Sequence, residues 1–367
     1  ATQTDEAKQV LIVEGGPGTG KSVVAINLLV EMTNRGLVTQ YVSRNAAPRE
    51  VYESKLTGTL TTTRFNNLFK GSGAFVDADR DTFDALIVDE AHRLNEKSGL
   101  YRNLGENQIK EIINAAKLSV FFLDENQKVT LTDIGDKDEI RFWAKQAGAE
   151  IVELELASQF RCNGSDGYLA WLDNTLQISE TANETLEGIH YDFRVCDSPT
   201  QLRELILEAN AINNKSRLVA GYCWDWASKK NPDAMDIEFP EHQFAMQWNL
   251  TDDGSVWILR PHSVEQIGCI HTCQGLELEY VGVIIGPDLV VRDGEVVVRP
   301  EARSRQDKTI HGYKKQLAED PQTTTERLKQ IVKNTYRTLM TRGQKGCYIW
   351  STDPETSLWF KAAIGNR

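Results

Sequence analysis

The stretch Gly15-Gly16-Pro17-Gly18-Thr19-Gly20-Lys21-Ser22 fits the pattern G-x-x-x-x-G-K-[ST]. In such a loop the glycines let backbone N–H groups turn inward around a phosphate, and a helix starting there adds positive potential. Lys21 is placed to reach the outer phosphates and Ser22 to ligate Mg²⁺, so a nucleoside triphosphate is the natural ligand. A glycine-rich turn that only joins strand to helix is the plainer alternative. It supplies no reason for the Lys-Ser pair.

A second segment, Leu86-Ile87-Val88-Asp89-Glu90-Ala91-His92, puts two carboxylates at the end of a buried-type strand, where α/β sheets hold their ligands. Asp89 would hold Mg²⁺, directly or through water, and Glu90 would orient and deprotonate an attacking water. The competing reading is an acidic strand end that caps the next helix. His92 is either a hydrogen-bonded histidine at a helix start or a group that couples hydrolysis to movement. In a third segment, Leu123-Asp124-Glu125-Asn126-Gln127, Gln127 is placed to sense the terminal phosphate or the attacking water.

These side chains need a scaffold of alternating strands and helices. Val10–Val13 reads as a strand, Gly15–Gly20 as a break and Ser22–Met32 as a helix that Gly36 ends. Strand candidates follow at Val38–Ser43, Ala85–Val88, Ser119–Leu123 and Ile151–Leu156, with a helical segment starting near Pro48. The alternation predicts a mostly parallel sheet. After Arg161 the signals restart: an extended Asp192–Val195, a helix opened by Ser198 and Pro199, and strands at Leu218–Tyr222 and Val281–Ile285. Residues Trp224–Ser255, with Pro232 and Pro240, read as an excursion from the sheet, and Val290–Val298 as a hairpin around Asp293-Gly294. The expected architecture is two α/β domains, residues 1–160 and 161–367, each with a mostly parallel sheet.

Composition agrees. With 367 residues and 26% charged side chains, the chain is large enough for two cores and too ordinary for wholesale disorder. No apolar run approaches the ~20 residues that span a bilayer. Six cysteines are too sparse for a disulfide scaffold, and nothing at the start resembles a signal peptide, so cytoplasmic residence is expected. The net charge of −12 repels polyanions overall, yet Arg292–Lys345 holds thirteen Lys/Arg against seven Asp/Glu. A nucleic-acid contact would use such a locally basic surface, for which a solvated helix face is the alternative. Trp224 and Trp226 could stack on bases, but aromatics beside a strand are more often core. Cys269-Ile270-His271-Thr272-Cys273 has soft metal ligands without a second pair to complete a zinc site.

The three segments, in this order, resemble the first RecA-like domain of superfamily 1 helicases, and the second half supplies further motifs. Gln159-Phe160-Arg161 resembles the arginine motif at the domain junction. Cys269-Ile270-His271-Thr272-Cys273-Gln274-Gly275-Leu276-Glu277 resembles T-x-H-x-x-Q-G-x-E, with Cys269 in place of the usual Thr, and Tyr336-Arg337-Thr338-Leu339-Met340-Thr341-Arg342-Gly343 resembles the closing arginine-finger motif. The Ser-Ala-Thr motif and Gln-Arg-x-Gly-Arg ending of superfamily 2 helicases do not occur. Asn45-Ala46-Ala47-Pro48-Arg49, Gly221-Tyr222-Cys223-Trp224, Gln274–Leu289 and Leu339–Gly343 are similar to the Schlafen group 3-like DNA/RNA helicase domain family.

The resemblance implies two RecA-like P-loop NTPase domains with a cleft between them, with ATP and Mg²⁺ as ligands. By it Arg161 and Arg342 would reach the γ-phosphate on domain closure, Gly275 and Glu277 would belong to the nucleotide-binding set with Glu277 at the sugar or the closing interface, and Asn45–Arg49 would contact the polymer strand. Such enzymes read adenine with a glutamine motif upstream of the first strand. Only nine residues precede Val10, and Gln3 and Gln9 fit that role poorly, so base recognition is assigned to no residue and the chain reads as either a fragment or a processed form, with room for further domains or partner proteins upstream of residue 1. The expected function is Mg-dependent ATP hydrolysis that drives a helicase or translocase on single-stranded DNA or RNA, with no membrane. An ATP-gated nucleic-acid-binding or interaction switch is the alternative. A P-loop kinase is disfavoured because the Asp-Glu pair and two arginine motifs suit water as acceptor.

Overall fold

The computed structural model describes residues 7–44, 49, 52–53, 61–99, 103–157, 165–249, 257–258, 260–273 and 278–365. Its contacts divide the chain into two compact α/β units of RecA-like type. One comprises residues 1–128 and 132–158, and the other 129–131 and 159–367.

In the first unit six strands are β1 (Gln9–Glu14), β2 (Thr39–Ser43), β3 (Phe69–Lys70), β4 (Phe83–Asp89), β5 (Ala116–Leu123) and β6 (Glu150–Glu155). They lie side by side in the order β3-β2-β4-β5-β1-β6, and every pair is parallel. Helices cover both faces, which is why the central strands are nearly continuous apolar runs rather than alternating ones. Successive residues serve opposite cores. Leu86, Val88, Phe121 and Leu123 pack with Ile109, Ile112 and Ile140, whereas Ile87, Val120 and Phe122 pack with Ala25 and Leu29 of the helix Lys21–Asn34. The strands expected in this half are all present, each lengthened or shortened by one to three residues at its ends. Of the helix expected near Pro48, Pro48 itself lies outside the described residues, while Arg49, Tyr52 and Glu53 are helical.

The second unit adds β7 (Asp192–Val195), β8 (Ser216–Ala220), β9 (Ile237–Phe239), β10 (Phe244–Trp248), β11 (Gln266–Gly268), β12 (Leu278–Ile285), β13 (Leu289–Arg292), β14 (Glu295–Val298) and β15 (Gly343–Ser351). Seven of these form a sheet in the order β7-β15-β12-β8-β11-β10-β9, parallel except for the β9–β10 pair. β13 and β14 form a separate antiparallel hairpin. Asp293 and Gly294 make its two-residue turn with φ of 51° and 79°, the left-handed pair that matches strand twist. Ser198 caps the helix Pro199–Asn213 by accepting a hydrogen bond from Gln201 N, as the Ser-Pro signal predicts. That helix packs so closely on β12 that a Cβ on Gly282 would meet its Ile206 at 2.7 Å and Leu202 at 3.2 Å.

One expectation is corrected. Of residues 224–255, 250–255 lie outside the described residues, and 224–249 are not an excursion: β9 and β10 extend the main sheet, with Phe239, Phe244, Met246 and Trp248 buried in its core. The period-2 apolar pattern was interrupted by Pro240 and polar turn residues, which sit in the short connection between the two strands. Trp224 and Trp226 pack against the same core, Trp224 edge-on to Phe239, so they are core aromatics. No helix among the described residues is long and apolar enough to cross a membrane.

An ion pair ties the hairpin to the last helix. Arg292 donates to both carboxylate oxygens of Asp353 at 2.9 and 2.7 Å, and Asp353 also caps the helix Pro354–Ile364 by accepting from Thr356 N at 2.9 Å. The guanidinium beside it holds the Asp353 carboxyl down at about 2, from 3.8. A depressed carboxyl pKa adds stability above its unfolded value and loses it as pH falls through its folded value, here between pH 4 and 2. Asp353→Ala is therefore expected to lower stability by about 1 kcal/mol at pH 7. Thermal unfolding of both proteins should show the difference at neutral pH and its narrowing as pH falls through that window.

Candidate nucleotide site

The phosphate loop leaves β1 where Gly15 N donates to Leu123 O of the neighbouring β5 at 3.2 Å. Gly18 and Gly20 have φ of 81° and 82°, a left-handed conformation that glycine adopts without steric cost and that turns the loop back on itself. Gly15 is required for space, since a Cβ there would stand 2.3 Å from Thr19 Oγ1. The helix Lys21–Asn34 has no side-chain cap and no acidic residue in its first turn, so the positive potential of its N-terminus faces the loop uncompensated. The Lys21 ammonium is buried within the loop and donates to the carbonyls of Gly15 and Gly16 at 2.6 and 2.8 Å. This is a cradle that fits a phosphate.

Asp89 ends β4, 3% exposed and ringed by donors. Its Oδ1 accepts from Glu90 N at 2.9 Å and its Oδ2 accepts from the Tyr41 hydroxyl at 2.6 Å, with the Ser22 hydroxyl near enough to favour the charged carboxylate. Burial, then the adjacent Glu90 charge, raises its carboxyl above the usual range. Burial likewise pushes the Tyr41 phenol well up, so it stays a neutral donor. Ser22 and Asp89 thus meet beside the loop, a hydroxyl and a carboxylate that suit a magnesium ion, which takes one or two protein oxygens and completes its shell with phosphate and water. The Cys269–Cys273 stretch is a tight turn in which Thr272 Oγ1 accepts from Cys269 N and donates to Cys269 O, both at 2.9 Å.

Glu90 lies in the left-handed region at φ 54°, ψ 42°. A residue with a Cβ pays about 1–2 kcal/mol for this, a cost that persists where surroundings hold it. Its carboxylate is 3.1 Å from His92 Nε2, and His92 is fully buried. The other ring nitrogen, Nδ1, accepts from Asp124 N at 3.2 Å, which places the ring proton on Nε2, facing Glu90. Asp124 in turn receives Gln127 Nε2 on Oδ2 at 2.9 Å and Asn126 N on Oδ1 at 3.0 Å. A continuous line of contacts therefore joins Gln127, Asp124, His92 and Glu90. This is possible because β4 and β5 are adjacent and parallel, so both strands end on the same edge.

Of the residues singled out in the sequence, Lys21, Ser22, Asp89, Glu90 and Gln127 fall within the first unit on this edge. Arg342 lies in the second unit, buried, with Nε donating to Thr338 O at 2.9 Å. Arg161, Gly275, Glu277 and Asn45–Pro48 lie outside the described residues. Tyr41 and Asp124 were not assigned roles from the sequence. Neither belongs to a spacing pattern, and only strand register brings them in: Tyr41 pairs with Ile87, two residues before Asp89.

The second unit explains other motif residues. Tyr336 of the closing motif donates to Asp288 Oδ1 and accepts from Gly286 N at 2.9 Å. A Cβ on Gly221 would stand 2.0 Å from that hydroxyl, so Gly221, Gly286, Asp288 and Tyr336 form one packed junction. Arg303, fully buried, pairs with Asp307 at 3.0 Å and Asp288 at 3.4 Å beside it. The basic excess of Arg292–Lys345 is consequently not one solvated face. Arg303, Arg337 and Arg342 are buried, and Arg292 and Lys345 pair with Asp353 and Glu279. Arg305, Lys308 and Lys314 are among those left exposed.

The chain is 24% identical to an uncharacterized protein of Saccharomyces cerevisiae, over 94% of this chain and 82% of that one. Among solved structures it is similar to the arterivirus nonstructural protein 10 helicase, at 12% identity and a TM-score of 0.43, covering 95% of this chain and 61% of the viral protein, so it spans less than two thirds of that helicase. It is also similar to Saccharomyces cerevisiae Dbp5 bound to RNA and ADP BeF3, at 13% identity and a TM-score of 0.37, covering 100% of this chain and 85% of that one. The family described as Schlafen group 3, DNA/RNA helicase domain matches residues 8–353, from the strand before the phosphate loop to the cap of the last helix, and the chain belongs to that family.

Proposed function

We propose that this protein hydrolyses ATP with magnesium and uses the cycle to act on single-stranded DNA or RNA as a helicase or translocase. The observation that carries the reading is the placement of Glu90: its carboxylate stands 3.1 Å from His92 Nε2, beside Asp89 and on the same sheet edge as the loop that buries Lys21. A site that only binds nucleotide has no need of a second buried carboxylate kept in a strained backbone conformation.

In this reading the loop amides and Lys21 bind the phosphates, and Ser22 and Asp89 hold the metal, which when bound offsets phosphate charge. Glu90 orients the attacking water and takes its proton. His92 Nε2, 3.1 Å from the Glu90 carboxylate, is the group assigned to position it, and Gln127, through Asp124, is the group whose position registers the terminal phosphate. Arg161 and Arg342 are the arginines assigned to charge developing on the γ-phosphoryl oxygens, where such a residue is worth about 10³–10⁵ in rate. The family and the yeast Dbp5–RNA structure support a polymer substrate, and Asn45–Arg49 is the segment assigned to it.

Turnover should be measured without polymer and with single-stranded DNA, single-stranded RNA and duplex at stated salt, because phosphate contacts make affinity salt-dependent. Stimulation by one single strand is expected. ATP turnover without strand displacement in a parallel assay would move the assignment to a nucleotide-gated switch. Lys21→Ala is expected to abolish nucleotide binding. Glu90→Gln should keep binding and lose about 10²–10⁴ in kcat, and turnover close to wild type would remove the general-base role.

His92 gives a separate test. Replacing it by Leu removes the ring nitrogen that stands 3.1 Å from the Glu90 carboxylate, with an expected loss of about 5- to 150-fold in kcat and KM little changed. His92→Gln, whose amide N–H₂ can stand in for Nε2–H, should recover part of the loss. Equal kcat in His92→Leu and wild type would remove the positioning role.

A further inference from the structure

On the reading just given, Asp89 is the carboxylate that meets the metal, and its own orientation has to be secured. Its surroundings within the first unit are unusual in one respect. A buried tyrosine from a neighbouring strand, outside every motif, donates to Asp89 Oδ2 at 2.6 Å. Tyr41 is fully buried, so this hydroxyl is not one of many solvated alternatives. A phenol on a pleated strand would otherwise be an awkward core residue, because burying an O–H without a partner costs more than burying the ring of a phenylalanine.

The ring itself is held from three sides. Phe69 lies 5.3 Å from it between centroids, and Tyr52 meets it edge-on at 6.0 Å. Phe69 is stacked on Phe65 at 4.3 Å, so the clamp continues into the helix Thr62–Leu68. Below, the ring belongs to the core of Val13, Ala25, Leu29 and Ile87 under the phosphate-loop helix. Because β2 and β4 are parallel and in register, with Ser43 opposite Asp89, the Tyr41 side chain leans along the strand toward the carboxylate from two residues upstream.

Around Asp89 the donors divide the work. Glu90 N takes Oδ1 and Tyr41 takes Oδ2, one from the carboxylate's own chain and one from across the sheet. Backbone alone would leave the carboxylate free to turn about its last torsion, which is broad and two-fold for Asp. The phenol removes that freedom.

We propose that Tyr41 is a positioning residue for the metal site: its hydroxyl fixes the orientation of Asp89 so that the carboxylate and Ser22 Oγ present oxygens to one divalent cation. Tyr41 touches neither metal nor nucleotide and acts only through Asp89. Partners of this kind, bonded to a metal-binding side chain, typically alter metal affinity by about 10–100-fold when removed.

The test is a magnesium titration of nucleotide binding, read without turnover. Thermal unfolding of the protein with saturating ADP is followed as Mg²⁺ is raised, giving the half-saturating concentration for the added stabilisation. Tyr41→Phe keeps the ring and loses the hydroxyl. It is expected to bind ADP in chelator as wild type does, and to need about tenfold more Mg²⁺ for half-saturation. Phe69→Leu loosens the aromatic clamp while leaving the hydroxyl, and is expected to lower the melting temperature without moving the magnesium midpoint beyond about twofold. An unchanged midpoint in Tyr41→Phe, or the same shift in both variants, would overturn the proposal. A wild-type response lost in Lys21→Ala but unaltered in Tyr41→Phe would overturn it while leaving the nucleotide-site reading intact. No magnesium response in wild type would remove both.

Discussion

A carboxylate taken out of water has to be met by donors or by a cation, and Asp89 at the end of β4 is the residue on which this requirement falls hardest. It is buried at the sheet edge with a second acid next to it in sequence. The chain answers with a backbone N–H from Glu90 and a phenol from Tyr41, with the Ser22 hydroxyl nearby, contributed by three different elements. Those elements must stand side by side to a fraction of an ångström for the carboxylate to be tolerated there at all. The six-stranded parallel sheet is the device that achieves it, because parallel neighbours all end on one edge and expose loops there.

Given that edge, the rest of the site is assembled by strand adjacency. β5 lies between β1 and β4, so its final residues contact both partners. Leu123 O accepts from Gly15 at the start of the phosphate loop, and Asp124 N donates to His92 beside Glu90. One strand end therefore touches the phosphate cradle on one side and the acidic pair on the other. A shift of β5 by a single residue would turn Phe121 and Leu123 out of one core and break both links together.

The second unit solves a different problem with the same chemistry. Its motif residues Gly221, Gly286 and Tyr336 converge where β8 and β12 end, and Asp288 joins them with Arg303 and Asp307 in a buried ionic group. Buried ion pairs are weak evidence for stability but strong evidence for a defined arrangement, since each partner left alone would be costly. The effect here is to pin residues 286–310 against the helix Pro321–Met340, whose C-terminal end carries Arg342.

Much of this was legible in the residues alone. The loop Gly15–Ser22, the acids Asp89 and Glu90, Gln127 and the order of strands around them follow from local spacing and apolar periodicity, because these patterns are written within a few residues of one another. What was misread depended on distance along the chain. Residues 224–255 look irregular until β9 and β10 find a sheet edge to join, and the cations of Arg292–Lys345 look like a basic face until Arg303 and Arg337 are seen paired indoors. The sequence by itself determined that a glycine-rich loop of phosphate-binding type and an acidic pair exist on a parallel α/β scaffold, since such a loop and a buried strand are local objects. Only the tertiary structure decided that Tyr41 would meet Asp89 and that Asp124 would set the proton of His92. Both contacts join strands through their register, which sums packing over the whole sheet and is carried by no single stretch of residues.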